Sequence, residues 1–367
     1  MIKTKAVMSD AKGGFFIDEI ILNPPQAHEV LVEIKASGLC RSDYNLMLLA
    51  ENIGVLGHEG AGIVKAIGDG VSNVKCGDAV LLNWATPCKK CVDCKSNKEF
   101  LCEQIASKTG TEDLWTKPAH DGILHRNKPI SRLLGLGTLA RYALVREESV
   151  NKINIDIPYS SACIIGCAVM TGWGSVVNVA QVNNGCSAVV LGIGGVGINV
   201  LQGLKLSKAK TIIAVDINEQ KLDLAKKFGA TDVILNTNID DTLRKIETIL
   251  FGRKADYVFE CTGNSSLVPL AFQSTQSGGK LIQVGVLTGE SPIDMNWLHW
   301  GKSYVNSFYG GCCPDRDVLR ILELYQKKQL RIDEQVTQMF PLNEFQSALN
   351  ALLKGYDIRV VLNTCEN

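Results

Sequence analysis

Between Pro87 and Cys102 four cysteines recur with the spacing C-x2-C-x2-C-x7-C, at Cys88, Cys91, Cys94 and Cys102. Few folds place four thiols so close together. Where cysteines are reduced, such short spacers let the backbone loop round one Zn²⁺ and present four thiolates as a tetrahedron. Lys89, Lys90, Lys95 and Lys98 lie among them and favour the thiolate form. Four sulfurs close the coordination shell, so the predicted site is structural. The competing expectation is a cluster of disulfides. It fits poorly with thirteen cysteines in a chain whose start, Met1 to Ala6, lacks the apolar core of a secretion signal.

The remaining bulk properties narrow the class. A length of 367 residues implies two domains, and 46% hydrophobic with 21% charged residues is a globular composition. A formal net charge of zero offers no electrostatic footprint for nucleic acid or an anionic membrane. The most apolar stretch, Ala188 to Leu201, is short and broken by four glycines, so no membrane span is expected. A cytoplasmic protein with reduced thiols is the expectation.

Two grammars divide the chain. Up to about residue 85, short β-rich runs such as Val30 to Ala36 and Gly62 to Gly68 alternate with Gly, Pro and Asn-Asp punctuation, which predicts an antiparallel barrel-like domain. The cysteine lobe follows. From Ile105 to about Leu136 the chain reads as loop, and Leu139 to Val145 returns to strand. After about Gly166, strands predicted at Ser187 to Gly192, Thr211 to Asp216, Asp232 to Leu235, Tyr257 to Cys261 and Lys280 to Gly285 alternate with helices such as Val196 to Leu206 and Glu219 to Phe228. That alternation predicts a doubly wound parallel sheet. Asp315 to Lys328 and Asn343 to Lys354 read as helices, and Ile358 to Leu362 as a last strand that returns to the first domain.

Between the first strand and first helix of the parallel sheet stands Gly192-Ile193-Gly194-Gly195-Val196-Gly197, a G-x-G-x-x-G motif. Its glycines permit a tight turn and let a pyrophosphate approach the helix N-terminus. Asp216 follows Gly197 by nineteen residues at the end of the next strand, where a carboxylate accepts the ribose hydroxyls of an adenosine. The same carboxylate repels a 2′-phosphate, so NAD is expected over NADP.

Cys40, His58 and Cys167 offer a second metal set, although spacing alone does not select them from thirteen cysteines and five histidines. The residues Cys40-Arg41-Ser42-Asp43, Gly57-His58-Glu59-Gly60, the cysteine lobe, Gly166-Cys167, Gly192 to Gly197 and Asp216 occur in one order. In this they resemble the zinc-dependent medium-chain alcohol dehydrogenases from the N-terminal strands to Arg359. The resemblance implies an α/β architecture: a GroES-like β-rich catalytic domain at 1–168 with a structural zinc lobe at 84–104, a Rossmann NAD-binding domain at 169–309, and a return to the catalytic domain at 310–367. It implies two zincs per chain, the catalytic one held by Cys40, His58 and Cys167 with a fourth position open. Asp43 would orient the ring of His58, and Glu59 would join the coordination transiently. Arg41 and Arg359 match residues that neutralise the cofactor pyrophosphate, Lys221 one near the ribose, and Thr171 one behind the nicotinamide. The implied reaction is reversible hydride transfer between an alcohol and NAD, giving an aldehyde or ketone. Zinc polarises the alcohol oxygen, and Ser42 accepts its proton.

Departures from the family pattern qualify the substrate. Asn45 stands where many members carry a relay histidine, and an amide is no base at neutral pH. Ala106, with Lys108 nearby, stands where members that oxidise the glutathione adduct of formaldehyde carry arginine. The stretch between Cys40 and His58 is short. Trp84 falls at an aromatic wall of the family's pocket, and equally fits a buried core tryptophan. The alternatives to an NAD-dependent zinc alcohol dehydrogenase are therefore a dehydrogenase of the formaldehyde–thiol adduct, or a non-catalytic nucleotide- and zinc-binding protein of the same fold. Family members pair as homodimers or homotetramers, and Tyr304 to Tyr309 is predicted as the edge strand through which copies associate.

Overall fold

Buried apolar runs with β-branched residues become central strands where both faces are covered. Ser187–Leu191 is one such strand; Ala188, Val189 and Val190 are fully buried. A computed structural model describes residues 1–104, 122–291 and 293–365. It places this strand inside a six-stranded sheet in the order Asp232–Leu235, Thr211–Asp216, Ser187–Leu191, Ala255–Glu260, Thr275–Gln283, Ser303–Asn306. Every pairing in it is parallel. The order steps outward in both directions from Ser187–Leu191, as in a Rossmann fold. Helices Gly197–Leu206, Glu219–Phe228, Ile239–Ile249 and Val268–Ser274 connect the strands. Asn218 and Asn238 cap two of them with side-chain oxygens, as short polar residues do before an amphipathic run. Val189, Leu191, Ile213, Val215, Val258, Leu281 and Phe272 share the core.

The chain divides into two compact units, one comprising 1–167, 313–327 and 332–367, the other 168–312 with 328–331. The short excursion belongs to the second unit because the Gln202 amide bonds both Arg331 backbone groups, at 2.7 and 3.0 Å.

The first unit is built on antiparallel β-structure. Ile2–Ser9 and Phe15–Leu22 pair along their full length. A second sheet of the described residues is centred on Glu29–Leu39, which pairs with Glu59–Ile67 on one side and Arg359–Asn363 on the other. Both neighbours meet at Gly38, opposite Glu59 and Val361. The last strand thus lies in the N-terminal sheet, with Arg359 two residues from the row of Gly38 and Glu59 and its side chain paired with Glu59.

Three expectations change. The stretch expected as loop up to Leu136 contains, in its described part, the short strands Ile123–His125, Lys128–Pro129 and Ser131–Arg132. They extend the sheet of Ile2–Ser9 through pairs such as Ile21 with Leu124 and Gly54 with Ser131, and strands this short carry too little alternation to be read locally. Residues 105–121 of that loop, Ala106 and Lys108 included, lie outside the described residues. The edge strand expected at Tyr304 to Tyr309 is Ser303–Asn306, and Phe308–Gly311 is a turn with left-handed Tyr309 and Gly310. Finally, the most apolar helical run is Tyr159–Ala180, not Ala188 to Leu201; by length and composition it would cross a membrane, but 72% of its apolar window is buried inside the protein, as in a core helix.

Candidate metal centres and nucleotide site

In the cysteine lobe the one-turn helix Val92–Lys95 and the 3₁₀ turn Glu99–Leu101 fold Cys88, Cys91, Cys94 and Cys102 inward. Their four sulfurs lie within 4.8 Å of one another. A tetrahedron with Zn–S bonds of 2.3 Å spaces its sulfurs about 3.8 Å apart, and the Cys88–Cys94 sulfur pair stands at 4.0 Å. That is about twice a disulfide bond length, and all thirteen cysteines are free thiols. The Cys91 backbone N–H donates to Cys88 Sγ at 3.3 Å and the Cys88 N–H to Cys102 Sγ at 3.2 Å. Donation from the Lys90 and Cys91 backbones brings the Cys88 thiol down to about 6. Four soft donors with no oxygen among them suit a closed zinc site. Lys89 pairs with Asp315, and the Cys313 thiol bonds the Asn97 carbonyl at 3.2 Å. Both contacts tie the lobe to the helix Pro314–Gln326.

The second cluster is assembled from distant elements. Cys40 ends the strand Glu29–Leu39 and caps the helix Arg41–Leu48. His58 precedes the strand Glu59–Ile67. Cys167 sits in the π-helical turn Ile165–Val169, an irregularity often found at functional positions. Ligand atoms of Cys40, His58, Glu59 and Cys167 lie within 4.8 Å of one another. Asp43 fixes two of them at once. Its Oδ1 accepts from His58 Nδ1 at 2.8 Å, and its Oδ2 accepts from the Cys40 backbone N–H at 2.9 Å. The Nδ1 contact commits the other ring nitrogen to the cluster.

Electrostatics in this cluster follow from burial. Burial opposes charge on the ring, yet Asp43, with Cys40, raises His58 well above its usual value. The hydrogen bond from Cys167 lowers Cys40, helped by His58, and the same bond, with burial, raises Cys167. Burial lifts Glu59 to about 7 against the pull of Arg359. Glu59 Oε2 pairs with Arg359, and its Oε1 has no hydrogen-bond partner among the described residues. Two thiols and one oriented imidazole form a donor set that suits zinc with a fourth position open, and the Glu59 carboxylate lies beside them.

Of the residues expected to neutralise a pyrophosphate, Arg41 is exposed, its guanidinium 5.8 Å over the Tyr44 ring. Arg359 is instead 5% exposed and paired with Glu59. Sequence reading missed that pairing, and also Gly38, where a Cβ would fall 2.0 Å from Glu59 Oε2. The signal available was a glycine two residues before Cys40. Ser42 is half-buried, and its hydroxyl makes no hydrogen bond among the described residues. Trp84 is half-buried against the core of Val30, Val32 and Leu82.

In the second unit the glycine motif has three distinct geometries. Gly192 has φ +89°, a Cβ on Gly197 would lie 1.9 Å from the Gly192 carbonyl, and a Cβ on Gly194 would meet nothing within 4 Å. The turn, the close helix packing and the open approach are the three uses that a dinucleotide-binding loop makes of its glycines. Gly195 and Val196 complete the turn into Gly197–Leu206. Asp216 ends its strand and accepts from Ile193 N–H at 2.7 Å and Asn218 N–H at 3.0 Å, which leaves it at the lip of the same loop. Lys221 lies on the following helix and Thr171 on Met170–Gly174.

A GroES-type β-unit bearing two zinc-type clusters, with a Rossmann unit, defines a metal-dependent dehydrogenase. Residues 26–155 match the alcohol dehydrogenase GroES-like domain, and residues 195–327 match the zinc-binding dehydrogenase family. Over 97% of its length the chain is 35% identical to alcohol dehydrogenase class-3 of Drosophila melanogaster, covering 96% of that protein. It is also 35% identical to S-(hydroxymethyl)glutathione dehydrogenase of Paracoccus denitrificans, over 97% of this chain and 98% of that one. Benzyl alcohol dehydrogenase of Acinetobacter calcoaceticus superposes with a TM-score of 0.89 at 28% identity, covering 99% of both chains. The chain belongs to the zinc-dependent medium-chain alcohol dehydrogenase family. It is an NAD-dependent zinc oxidoreductase that interconverts an alcohol with its aldehyde or ketone.

Proposed function

We propose that Cys40, His58 and Cys167 hold the catalytic zinc, that Cys88, Cys91, Cys94 and Cys102 hold the structural one, and that Ser42 starts the proton path. The observation that carries this reading is the approach of the ligand atoms of Cys40, His58, Glu59 and Cys167 to within 4.8 Å of one another, with a half-buried hydroxyl, Ser42, two residues along the chain from Cys40. When bound, zinc supplies Lewis-acid polarisation of the substrate oxygen, and NAD supplies the hydride acceptor.

The chain's own groups do the rest. Asp43 keeps a proton on His58 Nδ1 and so fixes its tautomer. Ser42 Oγ takes the alcohol proton and passes it outward. Asn45, one turn along the same helix, can hold a water for that transfer but cannot take the proton itself. Arg359 neutralises Glu59 inside the cluster, which leaves Arg41 as the exposed cation for the cofactor pyrophosphate. Asp216 accepts the adenosine ribose hydroxyls and Lys221 flanks them; Thr171 packs behind the nicotinamide. Trp84 narrows the substrate cleft. We place the protein in the cytoplasm as a homo-oligomer joined through Ser303–Asn306, which among the described residues has a strand neighbour on one side only, Thr275–Gln283.

Ser42→Ala tests the proton path. It removes no ligand, so zinc content stays at two per chain, while single-turnover NADH formation falls about 10²–10⁴-fold. An unchanged rate with zinc intact removes Ser42 from the mechanism. Ala106, in place of the arginine of glutathione-adduct dehydrogenases, favours an alcohol as the substrate. The name of the Paracoccus relative favours a second reading, the glutathione adduct of formaldehyde. NAD reduction that requires glutathione and formaldehyde together, against a panel of aliphatic and aromatic alcohols, decides between the two.

A further inference from the structure

Glu260 ends the strand Ala255–Glu260 and is fully buried. No lysine or arginine among the described residues pairs with it. Its carboxylate is surrounded by donors. Oε1 accepts from the Thr262 backbone N–H at 2.8 Å and from the Thr262 hydroxyl. Oε2 accepts from Gly263 N–H at 3.0 Å and from Gln283 Nε2 at 2.6 Å. The same Gln283 amide reaches the Gly285 carbonyl at 2.8 Å, and the Glu260 carbonyl accepts from Val284 and Gly285 N–H at 2.8 and 2.9 Å. The carboxylate thereby holds 262–263 directly and reaches the 284–288 loop through the Gln283 amide, while the Glu260 backbone carbonyl holds Val284 and Gly285; the two loops follow adjacent strands.

Those loops are fitted together and against the glycine turn. A Cβ on Gly285 would lie 2.3 Å from Gly263 N, and Thr288 N–H donates to the Gly263 carbonyl at 3.1 Å. Cys261 N–H donates to the Leu191 carbonyl at 2.9 Å, and a Cβ on Gly192 would lie 2.4 Å from the Thr262 methyl. Glu260 stands opposite Leu191 in register, at the carboxyl ends of the two strands between which the sheet order reverses. Ligands of open α/β sheets bind outside the carboxyl ends of the strands at such a reversal. A buried carboxylate with no counter-ion is a costly way to hold two loops, and an apolar pair would stabilise the fold as well or better. What the carboxylate offers is simultaneous acceptance from four donors, which fixes both loops in one position relative to Gly192.

We propose that Glu260 is a positioning residue for NAD: its carboxylate locks the 261–264 and 284–288 loops against the Gly192 turn, so that the floor for the pyrophosphate and nicotinamide half is set before the cofactor arrives. The inference rests on reading Gly192 to Gly197 as the dinucleotide site. The adenosine half, held at Asp216, is outside the lock.

Glu260→Gln keeps the shape but turns an NH₂ group toward hydrogen-bond donors on one side. Loops so released populate the binding-competent position less, and the apparent Kd rises in proportion. Titrated on the purified full chain, the Kd for NAD should rise about tenfold, the order expected when a buried donor loses its acceptor. The Kd for AMP, a probe of the adenosine half alone, should stay within about twofold on the same affinity scale. KM for NAD should rise with it, while kcat at saturating NAD and KM for alcohol change little. Amide exchange should accelerate in 261–264 and 284–288. Thr262→Val removes only the hydroxyl donor and keeps the methyl against Gly192; it should raise the NAD Kd about threefold, and it carries the test if Glu260→Gln does not fold. Unchanged NAD affinity in either soluble variant overturns the proposal, as does an equal loss of AMP and NAD affinity, which marks a merely structural role. Failure of the unmodified protein to bind NAD defeats the site reading beneath it, whereas AMP and NAD binding by that protein with no effect of Glu260→Gln defeats only the lock.

Discussion

The two metal clusters are built in opposite ways. The cysteine lobe takes all four ligands from one short loop, whose regular structure is one helical turn and one 3₁₀ turn. The Cys40, His58, Glu59 and Cys167 cluster takes its ligands from a strand end, a strand start and a π-helical turn. Three of its four positions are held by non-ligand contacts: Asp43 on Cys40 and His58, Arg359 on Glu59. A self-contained loop has little besides its metal to hold it, because so short a segment buries too little apolar surface to offset its ordering entropy. A cluster set into a sheet is shaped before metal binds. On the proposed assignment the first metal would stabilise structure, and the second would add reactivity to structure that is already there.

The strongest way to break that contrast is a pair of ligand substitutions. Cys167→Ser should abolish turnover and reduce zinc to one per chain, with the melting temperature close to that of the unmodified protein. Cys91→Ser should also cost one zinc per chain, but lower the melting temperature and promote aggregation, while the soluble fraction keeps its specific activity. Metal analysis, calorimetry and NADH formation on both variants read the difference; a Cys167→Ser chain that melts as early as Cys91→Ser would erase it. A smaller effect is expected from Asp43→Asn. The amide cannot accept from both His58 and the Cys40 backbone, so zinc affinity at that site should fall about 10–100-fold, seen as faster loss to a chelator with the lobe zinc retained. The smallest is expected at Lys89→Ala. The ion pair to Asp315 is roughly half-exposed on both sides, and pairs of that kind contribute about 0–1 kcal/mol. A larger drop in melting temperature would mean that the lobe leans on the helix Pro314–Gln326 more than on its metal.

The same contrast explains what could be read without coordinates. The lobe was legible because its chemistry is written as local spacing, and so were Gly192 to Gly197 with Asp216, which need only a strand, a turn and the next strand. The second cluster was legible through family resemblance alone, since no spacing rule joins Cys40 to Cys167. The partnership of Arg359 with Glu59 spans 300 residues, and only the register of the last strand beside Glu29–Leu39 reveals it. Glu260 carried a faint signal, a lone acid at the end of the otherwise apolar run Tyr257-Val258-Phe259 and just before Cys261-Thr262-Gly263. Its four donors come from one loop and from Gln283 at the end of the next strand, which sequence does not align. The strands between Ile123 and Arg132 were lost because they are two or three residues long.

The return of Arg359–Asn363 to the N-terminal sheet sets a timetable for biosynthesis. The 168–312 segment is nearly contiguous and can acquire its parallel sheet while the chain is still being made. The sheet around Glu29–Leu39 lacks one neighbour until the ribosome has passed Arg359. At about 5–20 residues per second, the interval between synthesis of Cys167 and of Arg359 is on the order of ten to forty seconds. Throughout it Glu59 has no guanidinium beside it, and one edge of the central strand stands open to other chains. Protease protection of stalled nascent chains would therefore be gained by the nucleotide-binding unit first and by the metal-bearing unit last.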